Sequence, residues 1–323
     1  MRRRLGRIGH EVSGLGLGCW AIGGPFWRGE NPVGWGEVDD AESRRAIHRG
    51  LDLGVTLFDT ADVYGAGHSE RVLGEALRGR RHEVVIASKF GNVFDEATKQ
   101  ITGADASPAY IQRACEASLR RLQTDYLDLL QMHIDQPPET VPDVLDTLEA
   151  LVSAGKIRGY GWSTDDPEKA RRFAEGPHCT AVQFNFNVLQ DNPAMVALLD
   201  KHNLAGLNRG PLAMGLLTGK FTADSRLPGD DIRGAGASWM QQFQDGRPNP
   251  EWLARIDAVR EILTSGGRSL AQGALAWIWG RSERTLPIPG FRTVAQVEEN
   301  ARALELGPLT PEQMQEVEAI LGR

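Results

Sequence analysis

Four side chains that can hold or move a proton lie where apolar segments of the chain end. They are Asp59 after VTLF, Tyr64 five residues later, Lys89 after EVVIAS and His133 after YLDLLQM. Singly, each residue type has an ordinary alternative: a helix cap for the aspartate, a half-buried loop residue for the tyrosine, a solvated strand end for the lysine, and core packing for the histidine. Their matching positions in consecutive segments favour one shared site.

Together these residue types suit the delivery of a proton to a carbonyl oxygen. A tyrosine has a pKa near 10, and a nearby ammonium stabilises the phenolate and lowers that pKa. Bringing it to about 7 requires roughly 4 kcal/mol, which a short contact in a poorly hydrated pocket can supply. Asp59 would keep a buried Lys89 charged, and His133 would orient the carbonyl. The set holds no nucleophile, so it matches carbonyl reduction by a hydride donor.

These residues can meet only if the elements that carry them end on one side of the molecule. Short apolar segments alternate with amphipathic ones, which predicts a parallel sheet. The predicted strands are 14–19, 55–59, 83–90, 126–133, 157–163, 180–185, 204–209 and 285–290. The predicted helices are 39–54, 68–78, 107–122, 141–154, one from 166, one to about 201, 251–263, 269–279, 294–304 and one from 310, with a long polar loop over 221–250.

Eight strand–helix units of this length predict a closed (β/α)8 barrel, with residues 1–323 as one domain. We expect an N-terminal hairpin over 3–12 that turns at Gly9-His10, and extra helices at the C-terminus. The four residues then lie at the C-terminal ends of barrel strands, where barrel enzymes place their catalytic groups. The alternative is an open doubly wound sheet, since residues 16–21 fit the pattern G-x-G-x-x-A. The breakers at 23–25 prevent the helix that this pattern needs, so we favour the barrel.

Motifs spread over almost the whole chain carry a resemblance to a known family. They are FDTADVYG at 58–65 with Ser69-Glu70, SKF at 88–90, DLLQMH at 128–133, GKIR at 155–158, PLAMGLLTGK at 211–220, and IPG at 288–290 with EEN at 298–300. On these motifs the chain resembles the aldo-keto reductases. The resemblance implies a (β/α)8 barrel that uses NADP(H), with a catalytic tetrad in which Tyr64 is the proton donor. The tetrad residues are Asp59, Tyr64, Lys89 and His133.

The resemblance also implies where the cofactor binds. Ser163 and Gln183 would hold the nicotinamide carboxamide, the segment 209–220 would line the pyrophosphate, and residues 288–300 would hold the adenosine phosphate. The full set of expected cofactor residues is Gly18, Trp20, Asp59, Ser163, Gln183, Arg209, Gly210, Leu212, Gly215, Lys220, Ile288, Gly290, Arg292, Gln296, Glu299 and Asn300. Without the family, Gly290 and Asn300 would be read as a turn and a helix residue.

This chain departs from the family pattern at three places. Thr164 follows Ser163 where the family usually has asparagine, which puts the second carboxamide contact in doubt. Arg209-Gly210 stands where the family commonly has Tyr-Ser, whose aromatic ring often stacks on the nicotinamide. An arginine can lie over that ring or reach the pyrophosphate, and we favour the pyrophosphate. Ile134 follows His133 where an aromatic residue is frequent.

The selectivity for NADPH depends on one phosphate group. Arg292 is the only cation between Gly290 and Asn300, and a helix N-terminus there would also favour an anion. Gln296 stands where many members have a second arginine. We therefore expect a real but moderate preference for NADPH, with NAD(H) as the weaker cofactor. Glu299 and Asn300 would contact the adenine, and the alternative for Arg292 is a solvated surface residue.

Aromatic residues in or beside the rim loops supply a candidate substrate pocket. Its expected residues are Trp20, Trp27, Tyr64, Phe90, His133, Ile134 and Trp162, and Phe26, Trp35, Phe94 and Trp239 also lie in rim segments. Such walls suit many aldehydes and ketones. Asp135 and Arg233 could bind polar substrates such as sugars, or could be solvated, which we favour.

Composition excludes several other classes of protein. The chain has 36 basic and 43 acidic residues and a net charge of -7, which argues against nucleic-acid binding. Three widely spaced cysteines give neither a disulfide framework nor a zinc site, and no ligand spacing predicts a metal. A signal peptide and a membrane helix are not evident in the sequence, so we expect a cytoplasmic protein acting on a small carbonyl or alcohol.

Two functional classes remain open. The first is an active reductase. The second is a cofactor-binding regulatory or sensor subunit on the same barrel, like the potassium-channel β subunits of this family, in which the tetrad is also intact. A short-chain dehydrogenase is a third reading, but no tyrosine has the lysine spacing Y-x-x-x-K that it needs.

Overall fold

Eight parallel strands form the barrel in the computed structural model, which describes residues 1–237 and 239–323. Sixteen strands are found in these ranges: β1 Arg2–Leu5, β2 His10–Ser13, β3 Gly16–Gly18, β4 Trp27–Arg28, β5 Asn31–Pro32, β6 Leu57–Asp59, β7 Val85–Phe90, β8 Asn92–Asp95, β9 Gln100–Ala104, β10 Leu129–Met132, β11 Tyr160–Ser163, β12 Cys179–Asn185, β13 Ala205–Arg209, β14 Phe243–Gln244, β15 Arg247–Pro248 and β16 Thr285–Pro287. The barrel strands lie in the order β3, β6, β7, β10, β11, β12, β13, β16. The predicted parallel sheet is therefore confirmed.

The first and last barrel strands meet at Gly18, which closes the sheet. Gly18 N donates to Pro289 O at 3.0 Å, and Gly18 forms a parallel bridge with Gly290. A Cβ at Gly18 would lie 2.7 Å from Ile288 O, so a larger residue would push the two strands apart. Barrel closure thus explains the glycine within the predicted G-x-G pattern without a phosphate contact.

Ten α-helices surround the strands in the described part of the chain. They are α1 Asp40–Asp52, α2 His68–Ala76, α3 Pro108–Leu122, α4 Val141–Ser153, α5 Pro167–Phe173, α6 Pro193–His202, α7 Pro250–Leu263, α8 Leu270–Arg281, α9 Val294–Leu306 and α10 Pro311–Ile320. Several helices begin at the residues predicted as N-caps. The side chain that accepts a backbone N–H of the first turn belongs to Asp39, Ser107, Asp166 or Thr310 in these helices. None of the helices in the described ranges is both long and apolar enough to cross a bilayer.

Alternation along the strands separates two layers of core. Inward side chains such as Leu57, Ala87 and Leu207 fill the barrel interior. Outward side chains such as Phe58, Ile86 and Leu130 pack under the helices in the larger cluster. The inward residue at the end of each strand therefore faces the barrel mouth.

The N-terminal hairpin is present, but its turn differs from the expectation. Strands β1 and β2 pair antiparallel, with Leu5 opposite His10. The turn therefore occupies residues 6–9, and His10 already belongs to the second strand. Left-handed backbone at Gly6 and Gly9 allows this tighter course.

Three hairpins outside the barrel sheet were not predicted, the first of which is β4–β5 in the loop after the first barrel strand. Strands β8 and β9 pair antiparallel, and β9 joins β4 through Trp27 and Gln100 in a four-stranded sheet. The β8–β9 segment is largely polar, and β4, which lies beside β9, is distant in sequence, so the local pattern gives little signal for this sheet. The third hairpin, β14–β15, lies within the predicted long loop.

The loops after the first and seventh barrel strands meet across the mouth. Ile232 N donates to Gly34 O at 3.0 Å, and Trp35 forms an antiparallel bridge with Asp231. Arg292, after the eighth strand, donates to the carbonyl of Trp35 at 3.0 Å. These contacts cover the sector of the mouth above the eighth strand.

Candidate active site

Lys89 occupies the centre of a buried polar cluster at the C-terminal end of the barrel. Its Nζ lies 2.7 Å from Asp59 Oδ2, 2.7 Å from Thr60 O and 3.4 Å from Tyr64 OH. Lys89 is fully buried and Asp59 is nearly so. The contacts expected between the lysine, the aspartate and the tyrosine are therefore all present.

The ammonium of Lys89 stays charged because it is paired. Burial by itself lowers the pKa of Lys89, but Asp59 and Tyr64 together outweigh burial and leave the pKa raised. Removing one partner of a buried ion pair leaves an uncompensated charge, which typically costs about 3–5 kcal/mol. The pair is thus a fixed positive charge beside the phenol.

The pKa of Tyr64 moves opposite to the expectation. Burial raises this pKa, and the opposing charges of Lys89 and, more weakly, Arg209 do not overcome it. The argument from the ammonium alone was wrong because Tyr64 is only 9% exposed, so the phenolate loses most of its hydration. Tyr64 is therefore a protonated phenol throughout the neutral range in this state, which is the form that donates a proton.

His133 completes the set on the neighbouring strand end. Its ring meets the Tyr64 ring edge to face, with centroids 5.8 Å apart. Burial, followed by the charges of Lys89 and Arg209, holds the pKa of His133 well below its usual value. The imidazole is therefore neutral at physiological pH, and its Nδ1 has no hydrogen-bond partner in the described ranges. A neutral imidazole beside the phenol can donate one hydrogen bond to a carbonyl oxygen.

Two glutamines hold the other carboxylate oxygen of Asp59. Gln183 Nε2 donates to Asp59 Oδ1 at 2.7 Å, and Gln131 Nε2 donates to the same atom at 3.3 Å. Gln183 was expected on the nicotinamide carboxamide, so its contact with Asp59 is a second task for this side chain. Gln131 was missed, although its place two residues before His133 puts it on the same inward face.

A second ionic network lies directly behind the lysine strand. Ser88 donates to Glu70 Oε1 at 2.5 Å, and Arg121 pairs with Glu70 Oε2 at 2.7 Å. Asp62 is buried next to them, and burial and the charge of Glu70 raise its pKa well above the usual range. Asp62 Oδ1 finds no hydrogen-bond partner in the part of the chain that the structure describes. None of these residues was singled out from the sequence as functional.

Arg209 turns towards the fifth strand. Its Nη2 lies 2.5 Å from Asp165 Oδ2, and Asp165 follows β11. The segment 209–220, which the resemblance assigns to the pyrophosphate, begins at Arg209 and continues beyond the end of β13. Arg209 is thus held on the side of the fifth strand, and its expected contact with the pyrophosphate stays a prediction. Ser163, opposite Gln183 in the sheet, lies beside this pair.

Three cations gather around the segment 212–220. Burial and then Arg233 and Arg292 lower the pKa of Lys220, with Asp231 acting in the opposite sense. Lys220 has no carboxylate within ion-pair distance in the described residues, and its Nζ lies 4.8 Å from the centre of the Phe221 ring. Left-handed backbone at Met214 and Gly215 shapes the segment itself. An unpaired, partly desolvated cation beside two arginines fits a phosphate group.

Arg233 is not solvated, in contrast to the favoured expectation. It is 8% exposed, forms a two-point ion pair with Asp231 and lies 4.5 Å from the centre of the Trp35 ring. Asp135, the other candidate, is exposed and pairs with Lys169 at 2.5 Å. Both side chains are thus already engaged.

The N-terminus of α9 is less open to an anion than expected. The carboxylate of Glu42 accepts Val294 N at 2.8 Å, and this bond contributes most to the lowered pKa of Glu42. Gln296 accepts Arg292 N at 2.7 Å. Arg292 itself is not a free surface residue, because its guanidinium donates to the carbonyls of Trp35 and Glu37. The expectation of an unoccupied helix terminus is therefore wrong at Val294.

The remaining expected cofactor residues differ in their burial and in their place in the fold. Gly210 has a φ of +61°, and a Cβ there would meet Asn185 Oδ1 at 2.5 Å, so only glycine fits. Leu212 is partly buried at the start of the segment, and Ile288 is buried in the barrel interior. Gly290 and Glu299 are exposed, and Asn300 is buried on α9.

The aromatic pocket is smaller than expected. Trp20 stacks on Tyr64 with centroids 5.9 Å apart, and Trp27 is partly exposed above it. Phe90 and Trp162 were wrongly included: each follows an inward strand residue, so it points outward into the layer beneath the helices, at 0% and 1% exposure. Ile134 packs in the same outer layer, and its carbonyl accepts Trp162 Nε1 at 3.0 Å.

Comparison with known proteins agrees with this arrangement. The model of the aldo/keto reductase family matches residues 14–321. The aldo-keto reductase YhdN of Bacillus subtilis is 32% identical over 295 residues, 90% of this chain and 84% of that protein.

Two solved structures share the whole barrel. The glycerol dehydrogenase AKR11B4 of Gluconobacter oxydans superposes with a TM-score of 0.84 at 32% identity, covering 100% of this chain and 95% of that one. An aldo-keto reductase of Klebsiella pneumoniae in complex with NADPH gives a TM-score of 0.70 at 26% identity, covering 99% and 96%. Fold, site geometry and the match over nearly the full length agree: the chain belongs to the aldo/keto reductase family.

Proposed function

We propose that this protein is an NADP(H)-dependent oxidoreductase that reduces an aldehyde or ketone to an alcohol, reversibly. The observation that carries the proposal is the buried Lys89 ammonium, held between Asp59 at 2.7 Å and the Tyr64 hydroxyl at 3.4 Å. This is a fixed charge beside a protonated phenol at the barrel mouth. Such a pair suits proton transfer to an oxygen that becomes negative during the reaction.

Each side chain of the site would have a separate role in the proton transfer. His133, neutral, donates a hydrogen bond that orients the carbonyl oxygen towards Tyr64. Tyr64 gives its hydroxyl proton to that oxygen as the negative charge develops. Lys89 stabilises the phenolate left behind, and Asp59 keeps the lysine charged. Gln131 and Gln183 hold the second oxygen of Asp59 and so fix its orientation.

The described residues fit a dinucleotide along one side of this site. Reduced nicotinamide, when bound, supplies the hydride for the carbonyl carbon. We assign Ser163 and Gln183 to its carboxamide, Lys220 and the segment 210–215 to the pyrophosphate, and Arg292 to the adenosine phosphate. The unpaired charge of Lys220 and the narrow turn at Gly210 support this assignment. The Klebsiella pneumoniae relative, which binds NADPH, supports NADP(H) over other cofactors.

The substrate would bind between Trp20 and His133. The aromatic faces of Trp20 and Tyr64 offer an apolar wall, and the Tyr64 hydroxyl and His133 offer polar contacts. The name of the Gluconobacter oxydans relative, a glycerol dehydrogenase, favours small hydroxylated carbonyls and alcohols as the first compounds to test.

Turnover of a substrate panel tests this proposal against the sensor alternative. The panel consists of glyceraldehyde, aliphatic and aromatic aldehydes with NADPH, and glycerol with NADP⁺. An enzyme should reach a kcat of about 1 s⁻¹ or more on at least one compound. A sensor subunit should bind NADPH but consume it orders of magnitude more slowly on every compound. Failure to bind either nucleotide would reject both functions.

A further inference from the structure

An ion pair at the barrel mouth crosses the end of the sixth barrel strand. Asp165 follows β11 and Arg209 ends β13, and the strand between them is β12. One oxygen of Asp165 holds Arg209 Nη2 at 2.5 Å, and the other accepts the N–H of Asn185 at the end of β12 at 2.7 Å. The carboxylate is thus anchored to the strand and fixes the guanidinium beside it.

This pair lies at the barrel mouth, on the side of the reacting groups, with the Arg209 side chain 41% and the Asp165 side chain 53% exposed. Leu207 points into the barrel, so Arg209, two residues on, lies on the same inward face. The charge of Arg209 lowers the pKa of both Tyr64 and His133, which places it within electrostatic reach of them. Ser163 and Gln183 are opposite one another in the sheet, each two residues before a partner in the Asp165–Asn185 contact.

We propose that the Arg209–Asp165 pair sets the relative affinity for the oxidised and the reduced nicotinamide. The guanidinium favours the reduced form, and the carboxylate limits that preference. This inference rests on the proposed function, in which Ser163 and Gln183 hold the carboxamide of the nicotinamide. It assigns Arg209 to the ring and not to the pyrophosphate.

The physical basis is a difference of one charge. The ring of reduced nicotinamide is neutral, and loss of a hydride, one proton with two electrons, leaves the oxidised ring with one positive charge. A guanidinium near the ring repels only the oxidised form, whereas a carboxylate attracts only that form. The pyrophosphate and the adenosine phosphate are identical in the two forms, so contacts with them cannot separate NADPH from NADP⁺.

The test compares the dissociation constants of NADPH and NADP⁺ by calorimetric titration, without substrate. The variants are Arg209→Gln and Asp165→Asn, in which the asparagine oxygen can still accept Asn185 N–H. Arg171→Gln is the matched control, because Arg171 is an ion-paired arginine on α5 outside the barrel. A thermal melt of each variant verifies that it is folded.

The two variants should move the ratio of Kd for NADP⁺ to Kd for NADPH in opposite directions. Arg209→Gln should lower that ratio by about tenfold, and Asp165→Asn should raise it by roughly threefold or more, with Arg171→Gln unchanged. Equal weakening of both nucleotides by Arg209→Gln would mean a phosphate contact and would overturn the inference while leaving the proposed function intact. An unchanged ratio in both variants would also overturn it. Absence of binding by either nucleotide to the unmodified protein would remove the proposed function and this inference together.

Discussion

The protonation state of Tyr64 decides how each direction of the reaction depends on pH. Burial keeps the pKa of this phenol above its usual value near 10, so the proton donor is loaded across the neutral range. His133, whose pKa is well below its usual value, stays neutral over the same range. Neither group therefore changes its charge between about pH 7 and pH 9.

We predict that carbonyl reduction is nearly independent of pH between 7 and 9, whereas alcohol oxidation accelerates. Oxidation needs the phenolate as base, and below the pKa its fraction rises about tenfold per pH unit. Saturated rates in both directions over this range measure the effect. A reduction rate that falls tenfold from pH 7 to pH 9 would mean that Tyr64 loses its proton there, against the argument from burial.

Asp62 offers a test of the network behind the lysine strand. Its folded pKa is raised by burial and by Glu70, so ionisation in the folded state is penalised relative to the unfolded chain. At a pH below the unfolded value both states are protonated and no penalty exists. The penalty then grows as pH rises towards the folded pKa.

We therefore predict that Asp62→Asn raises the melting temperature more at pH 8 than at pH 5. An asparagine of the same shape removes the ionisable group, although its amide still needs partners in this buried place. Glu96→Gln serves as a control, since Glu96 is an exposed neighbour that also pairs with Arg121. An equal change in melting temperature at both pH values would contradict the raised pKa of Asp62.

At the scale of elements, the sequence predicted the features that depend on neighbouring residues, such as where helices begin. Capping residues such as Ser107 and Thr310 fix helix starts because their side chains bond the first turn, whatever lies around them. The β8–β9 hairpin was missed because few apolar residues mark its strands and because its neighbour β4 is far away in sequence. Phe90 and Trp162 were assigned to the pocket because nearness to a strand end was taken for orientation, whereas alternation sends them outward.

The segments after the seventh and eighth strands should contribute to cofactor affinity in different ways. Lys220 lies by the segment assigned to the pyrophosphate, which NADPH and NADH share. Arg292 lies at the start of α9, by the phosphate that only NADPH carries. Arg292 donates to Trp35 O and Glu37 O, but its guanidinium has further N–H groups that can donate to a phosphate.

We predict that Lys220→Met raises KM for NADPH and NADH alike, by about tenfold or more, since a charge-assisted contact is worth roughly 1.5–3 kcal/mol.

We predict that Arg292→Ala raises KM for NADPH about tenfold and leaves KM for NADH almost unchanged. The nearby Glu42 carboxylate on Val294 keeps the preference for NADPH moderate. Equal effects of Arg292→Ala on KM for both coenzymes would contradict the assignment of Arg292 to the adenosine phosphate.

At the scale of the whole molecule, the site exists only because the barrel closes. Asp59, Lys89, Gln131 and Gln183 come from four strands, and their contacts of 2.7 to 3.3 Å depend on the register of the sheet. The sequence predicted the tetrad because its residue types recur at strand ends. Gln131 was missed although alternation along the strand places it on the inward face, whereas the raised pKa of Tyr64 follows from burial in the folded chain and could not be predicted.

We predict that the reaction needs no metal ion. No group of three or more His, Cys, Asp or Glu side chains in residues 1–237 and 239–323 is arranged to hold one, and Lys89 already supplies a positive charge at the site. Exhaustive dialysis against EDTA should leave kcat and KM within about twofold of their starting values. Loss of activity that one particular ion restores would reject this prediction.

The most direct test of the account is the rate of hydride transfer in Tyr64→Phe, measured in a single turnover with bound NADPH and the best substrate of the panel. Removal of the general acid should slow this step by roughly 10²- to 10⁴-fold. The Kd for NADPH, measured in parallel, should stay near that of the unmodified protein because the proposed role of the hydroxyl is a contact with the carbonyl and not with the dinucleotide. Transfer at a near-normal rate in Tyr64→Phe would contradict the assignment of Tyr64 as the proton donor.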